Sequence, residues 1–126
     1  MKTIILDTNF LFIPAQFKVD IFREIDRVIT APHQMAILDR SVEELEHLAK
    51  TAKGKDKEAA KLGLSLLKAK ALKIIPTHSR APVDDLIVEL ADKDTIVATQ
   101  DQGLKRRLMG VPLIVLRAKK KLILVQ

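Results

Sequence analysis

Asp7, Glu44, Asp84, Asp85 and Asp101 are the side chains of this chain whose type and position allow bond-making chemistry. Gathered into one place, such carboxylates have a definite physical consequence. Two of them about 4 Å apart repel by roughly 4 kcal/mol at an effective dielectric near 20. A cluster therefore takes up protons or holds a cation. A ligand set made only of oxygen selects a hard ion, Mg²⁺ or Mn²⁺, over zinc. An ion so held can activate water and stabilise charge on a phosphodiester.

Each residue also has a plainer reading. Asp7 and Asp101 each follow an apolar run and precede what reads as a helix start, where aspartate is a preferred N-cap. Asp84 and Asp85 open a helix, where the helix dipole favours negative charge. Glu44 and Glu46 flank an apolar helix face, while Glu43 and His47 project away from it, four residues apart. Other donor chemistries find no support. There is no cysteine, so thiolate metal sites and disulfides are excluded. His33 and His78 stand alone in expected loops. Glu44 and His47 form a Glu-x-x-His pair, but the di-iron bundles that use it need a second copy, and none is present.

The elements that must position these residues follow from periodicity. Strands are expected at Lys2–Leu6, Gln34–Leu38, Leu72–Pro76, Thr95–Thr99, Leu113–Leu116 and Leu122–Val125. Helices are expected at Lys18–Ile29, Ser41–Thr51, Lys55–Lys70, Val83–Asp92 after Pro82, and Asp101–Met109, which Gly110 ends. On the second of these, Val42, Leu45, Leu48 and Ala49 share one face. On the fourth, Val83, Leu86, Ile87, Leu90 and Ala91 do, with Asp84 beside that face and Asp85 nearly opposite. Alternating strands and helices imply a three-layer α/β/α fold around a mainly parallel sheet. Sites in such sheets form beyond the carboxyl ends of the strands, which is where Asp7 and Asp101 fall. The three strand–helix corners bearing Asp7, Asp84 and Asp101, with Glu44 on a flanking helix, would meet if the sheet closes that way.

Length and composition are those of one globular domain covering residues 1–126: 126 residues, 48% hydrophobic and 30% charged. No apolar run approaches a membrane span, and the short apolar start, interrupted by Asp7, does not make a signal peptide; a cytoplasmic location is expected. The net charge of +6 is uneven, with residues 1–49 carrying five Lys/Arg against eight Asp/Glu. The basic remainder suggests a polyanionic partner, or only a soluble lysine-rich surface. Its clusters are Lys105, Arg106, Arg107 and Lys119, Lys120, Lys121. The only aromatics are Phe10, Phe12, Phe17 and Phe22, too few to read bases by stacking, so contacts to a nucleic acid should go mainly to phosphates. A nucleotide-binding α/β domain is disfavoured, because none of the four glycines follows the first strand.

The order of these residues resembles a known family. Leu6-Asp7-Thr8-Asn9 is similar to the opening of PIN domains. Ser41-Val42-Glu43-Glu44-Leu45 resembles their second acidic motif, Val83-Asp84-Asp85-Leu86-Ile87 with Ala91 their third, and Ile96-Val97-Ala98-Thr99-Gln100-Asp101 with Leu104 their fourth. The resemblance implies a metal-dependent nuclease, usually acting on single-stranded RNA, with Asp7, Glu44, Asp84 and Asp101 as ligands of Mg²⁺ or Mn²⁺. Asn9 and Thr99 would have supporting roles. Asp85 competes with Asp84 for the third position, although the spacing to Ala91 picks Asp84. Gln102–Leu108 and Gly110-Val111-Pro112 look most like the branch tied to small-subunit ribosomal RNA processing, with toxin-type PIN ribonucleases as the alternative. Expected partners are then RNA and a ribosome-assembly factor or an antitoxin. A homodimer is also expected, because Leu122–Val125 would form an edge strand needing cover. A catalytically silent RNA-binding scaffold of the same fold is the competing reading.

Overall fold

The computed structural model describes residues 1–126. Six strands form one sheet: β1 Lys2–Leu6, β2 His33–Leu38, β3 Lys73–Ile75, β4 Thr95–Ala98, β5 Leu113–Arg117 and β6 Lys121–Val125. Their order is β3-β2-β1-β4-β5-β6. All neighbours are parallel except β5 and β6, which form a hairpin. Six helices cover the sheet: α1 Ile13–Phe17, α2 Ile21–Val28, α3 Asp39–Thr51, α4 Gly54–Ala69, α5 Val83–Leu90 and α6 Gln102–Arg107.

The strands divide their side chains between two cores with the period of two that pleating imposes. Ile4 and Leu6 of β1, Ile37 of β2, and Ile96 and Ala98 of β4 join the larger cluster, with α2, α3 and α4. Ile5, Leu38 and Val97 face the other way, onto Leu86 and Ile87 of α5 and Leu104 of α6. The three-layer expectation is thereby met. Strands β1 and β4 lie in the middle and are buried on both faces, as near-continuous runs such as Ile-Ile-Leu require.

The largest departure from expectation lies between Asp7 and Ile29. The helix expected over Lys18–Ile29 forms as α2, trimmed to Ile21–Val28, and two unexpected elements precede it. A 3-10 turn at Thr8–Phe12 leads into α1, with Pro14 in its first turn, and Lys18 ends α1 in the left-handed region at φ 58°. A new helix then starts at Asp20, whose Oδ1 accepts from the Arg23 amide at 3.1 Å. Proline fits a first helical turn because its missing N–H is unsatisfied there anyway, and Asp20 is a strong N-cap. The 3-10 turn packs tightly on α4: a Cβ added at Gly63 would stand 3.1 Å from the Leu11 carbonyl oxygen.

Candidate metal centre at the carboxyl edge

The sheet order reverses direction between β1 and β4, since the chain runs from β1 to β2 and β3 on one side and to β4 and β5 on the other. This switch point opens a crevice at the carboxyl ends. Asp7 leaves β1 there, and its amide donates to the Ala98 carbonyl at the end of β4 over 2.9 Å. Asp101 stands three residues beyond β4. Between them is a cleft of about 520 Å³ lined by Asp7, Asn9, Glu44, Asp84 and Asp101, with Thr8, Phe12, Arg40, Leu48, Pro82 and Val83 completing it.

Thr99 ties the two strand ends together. Its hydroxyl donates to Asp7 Oδ2 at 2.8 Å and accepts from the Asp101 amide at 3.0 Å. Asp7 Oδ1 accepts from the Thr8 amide at 2.9 Å. Asp101 caps α6, its Oδ1 accepting from the Leu104 amide at 3.2 Å. Each aspartate thus does cap, as local reading suggests, while retaining acceptor capacity toward the cleft. On the other side, Thr8 Oγ1 lies 2.7 Å from Ser41 Oγ and 3.1 Å from Glu44 Oε1. A hydroxyl has one proton, so the consistent chain has Ser41 donating to Thr8 and Thr8 donating to Glu44. Ser41 and Thr99 are fully buried.

Burial pushes the Asp7 carboxyl above its ordinary pKa. The hydrogen bonds from Thr99 and Thr8 pull the other way, and the nearby charges of Asp101 and Glu44 raise it further. Asp7 is thus a desolvated carboxylate in this cleft with two other acids close enough to act on it. Asp84 borders the same space, but its Oδ2 is turned 3.5 Å from Arg107 Nη1 of α6. Asp85 stands outside the cleft and holds the same Arg107 nitrogen at 2.7 Å. The acidic side chains do not converge into a closed ligand group of three or more. The donors available nevertheless suit a hard divalent cation: carboxylate oxygens throughout, and a buried Asn9 Oδ1 that lacks any hydrogen-bond partner. An oxygen left orphaned in this way is what an ion or its water shell would satisfy.

Of the basic residues singled out by sequence, Arg107 is paired with acids, Arg106 is exposed and Lys105 is half-buried. Lys119, Lys120 and Lys121 are exposed in and after the β5–β6 turn, with Lys119 Nζ 6.0 Å over the Phe17 ring. The β5–β6 turn leaves the carboxyl end of β5, the same edge as Asp7 and Asp101, whereas Lys105, Arg106 and Arg107 are in the last turn of α6, which runs back from that edge. Phe10 and Phe22 are buried, while Phe12 reaches the cleft wall. Thr8, Arg40 and Ser41 escaped the sequence reading. Ser41 did carry a signal, standing three residues before Glu44 on one helix face. No helix is long and apolar enough to cross a membrane.

Known proteins share this architecture and sequence. The profile of a family described as a PIN like domain matches residues 4–119. Ribonuclease VapC4 of Methanocaldococcus jannaschii is 36% identical over 124 residues, 95% of this chain and 94% of that one. The rRNA-processing protein FCF1 of Saccharomyces cerevisiae is 33% identical over 112 residues, 86% of this chain but 55% of its own length, so this chain spans about half of it. Among solved structures, that of the PIN domain endonuclease Utp24 matches with a TM-score of 0.79 at 28% identity, covering 97% of this chain and 90% of that one. Both branches that the motifs resemble are thus represented among its relatives, and the chain belongs to the PIN-domain family.

Proposed function

We propose that this chain is a divalent-metal-dependent endoribonuclease that hydrolyses phosphodiester bonds in single-stranded RNA. The observation carrying this reading is the cleft at the β1/β4 switch point. There Asp7, Glu44, Asp84 and Asp101 line one space together with Asn9, whose buried Oδ1 has no hydrogen-bond partner. A silent scaffold has no need to hold a desolvated carboxylate against two others. A relative named as a ribonuclease and a structural neighbour named as an endonuclease support the same activity.

In this reading Asp7, Glu44, Asp84 and Asp101 hold Mg²⁺ or Mn²⁺, and Asn9 Oδ1 serves the ion or its water. The bound ion supplies positive charge beside the scissile phosphate and lowers the pKa of water. The chain's own contribution is rigidity. Thr99 fixes Asp7 relative to Asp101, the Leu104 amide of α6 fixes Asp101, and the Ser41–Thr8 pair fixes Glu44. Such supporting hydrogen bonds orient ligands and cost about 10–100-fold in affinity or activity when removed. Lys105, Arg106 and Lys119, Lys120, Lys121 bind RNA phosphates, while Arg107 is held by Asp84 and Asp85.

The biological setting follows the relatives in two directions: ribosomal RNA processing with an assembly factor, or a toxin-type role with an antitoxin, in either case in the cytoplasm. A homodimer through β6 would have to pair beyond Leu122. Its amide already donates to Glu24 Oε1 at 3.0 Å, and its carbonyl accepts from Arg27 Nη2 at 2.9 Å. The test is cleavage of a labelled single-stranded RNA. EDTA should stop it, and Mg²⁺ or Mn²⁺ should restore it. RNA that is bound but never cut at any metal concentration would instead establish the scaffold.

A further inference from the structure

A second recess opens beside the cleft, past the carboxyl ends of β2 and β3. It measures about 340 Å³ and is lined by Asp39, Arg40, Glu43, His78, Ser79 and Arg80, with no hydrophobic residue. Arg40 borders both spaces, so the recess and the acidic cleft share a wall.

The charges are unevenly committed. Asp39 spends its carboxylate inside the protein: Oδ1 accepts from the Thr77 hydroxyl at 2.7 Å and the Arg40 amide at 2.8 Å, and Oδ2 from the Thr77 amide at 3.1 Å. These bonds pin the loop that carries residues 78–80. Arg40 Nη1 donates to the Ser79 carbonyl at 3.1 Å and steadies the same loop. Its Nε is buried without a hydrogen bond, and the nearest carboxylate, Glu43, stands 3.7 Å away and is largely exposed. Arg80 forms no ion pair or hydrogen bond at all. The recess therefore offers one free guanidinium, one partly free guanidinium and an imidazole on a loop ordered at folding. A ligand would not have to meet that ordering cost again.

A planar guanidinium pairs bidentately with two oxygens of a phosphate, and two guanidiniums line this recess. Strand neighbours are about 4.8 Å apart, so the recess at β2 and β3 lies one to two spacings from Asp7 on β1. That is the scale on which successive phosphates of one strand follow each other. It also lies on the opposite side of β1 from the β5–β6 turn, whose lysines are exposed.

We propose that the Arg40–His78–Arg80 recess is a backbone-phosphate subsite, holding an RNA phosphate next to the one cut in the adjoining acidic cleft. The strand then crosses the sheet edge from this recess, over Asp7, toward α6. The inference rests on the ribonuclease reading and adds where the strand lies.

The test measures binding of a fluorescent single-stranded RNA in Mg²⁺ on the Asp101→Asn background, since asparagine also caps a helix while cutting is suppressed. Arg80→Gln removes a side chain with no partner in the protein. Lys61→Gln, on the exposed face of α4, removes the same charge elsewhere. Arg80→Gln should weaken binding by about threefold and flatten the slope of log K against log salt by about 0.7, the loss of one single-strand phosphate contact. Lys61→Gln should leave the slope unchanged. Equal effects of the two overturn the subsite, because they reveal only a general field. Inorganic phosphate that shifts the His78 imidazole resonances while Arg80→Gln leaves the RNA slope unchanged makes the recess a free-anion site, and also overturns it. RNA binding that ignores Arg80 removes this inference alone. No RNA binding at all removes the ribonuclease reading with it.

Discussion

The Thr99 hydroxyl donates to Asp7 Oδ2 across 2.8 Å, joining the end of β4 to the end of β1 through one buried hydrogen bond. The same oxygen receives the Asp101 amide. One side chain thus sets the spacing between two candidate ligands on adjacent strands. Replacing it with valine keeps the shape and β-propensity but removes both bonds. Thr99→Val should cost about 1–3 kcal/mol of stability, the usual effect of unsatisfied buried groups. The Asp7 carboxyl is already raised by burial, and Thr99 is the largest influence lowering it. Without that bond its pKa rises further, so ionised Asp7 is lost at a higher pH. The acid limb of the cleavage profile should move toward neutrality. An unchanged limb in a folded variant would show that this bond does not tune the site.

Asp84 and Asp85 are adjacent, share Arg107, and differ in what they face. Neighbours on a helix point about 100° apart, and only Asp84 borders the cleft. Asp84→Asn should reduce cleavage by about 100-fold or more, beyond the usual effect of losing a supporting bond, with circular dichroism unchanged. Asp85→Asn should leave activity near wild type and cost at most about 1 kcal/mol, because its pair with Arg107 is exposed. The reverse ranking would move the third acidic position by one residue.

Gly63 lies in α4, outside the cleft, yet it packs on the turn carrying Thr8 and Asn9. An added methyl would stand 3.1 Å from Leu11 O and 3.2 Å from Leu11 Cβ. Both are held by backbone and cannot swing away. Gly63→Ala should therefore destabilise by about 1–3 kcal/mol despite alanine's higher helix propensity. It should also lower activity by displacing Thr8 from Glu44. Thermal melts and cleavage rates check both, and a more stable, fully active variant would contradict the packing.

How much of this was legible in the sequence depended on range. Asp7 and Asp101 could be placed because each sits at a fixed distance from a strand end, and the strands announce themselves by apolar, β-branched runs. The two-core alternation was readable from the same runs. The segment Thr8–Phe17 was not, because its apolar residues have neither period, and Pro14 can start a helix as well as break one. The Ser41–Thr8–Glu44 chain was hidden for another reason. It joins residues 33 and 36 positions apart in sequence, and nothing local in a serine marks it as buried. Arg107 was read from its charge as a phosphate ligand, but the α5 acids that face it emerge only when α5 and α6 pack on one face.

At the outer edge of the sheet, Glu24 accepts from the Leu122 amide and from Arg27. The Arg27 side chain, the Leu122 amide and Arg23 beside it hold its pKa down to about 2. A carboxyl with a lowered folded pKa contributes stability above its unfolded value and loses it as pH falls through the folded one. Glu24→Ala should thus cost about 1–2 kcal/mol at neutral pH. The gap to wild type should narrow below pH 4.5 and nearly close by pH 2. Denaturant titrations across that range check the sign. The variant should also associate more readily, since Leu122 is then open to strand pairing.

The most direct test of the central claim is a crystal soaked in Mn²⁺ and measured for anomalous scattering. The predicted result is a peak in the cleft about 2.1 Å from oxygens of Asp7 and Asp101, with Asp84 turned in from Arg107, and no peak in the Asp101→Asn protein. A cleft free of anomalous density at saturating Mn²⁺, in crystals of protein that still cleaves RNA, would contradict the account.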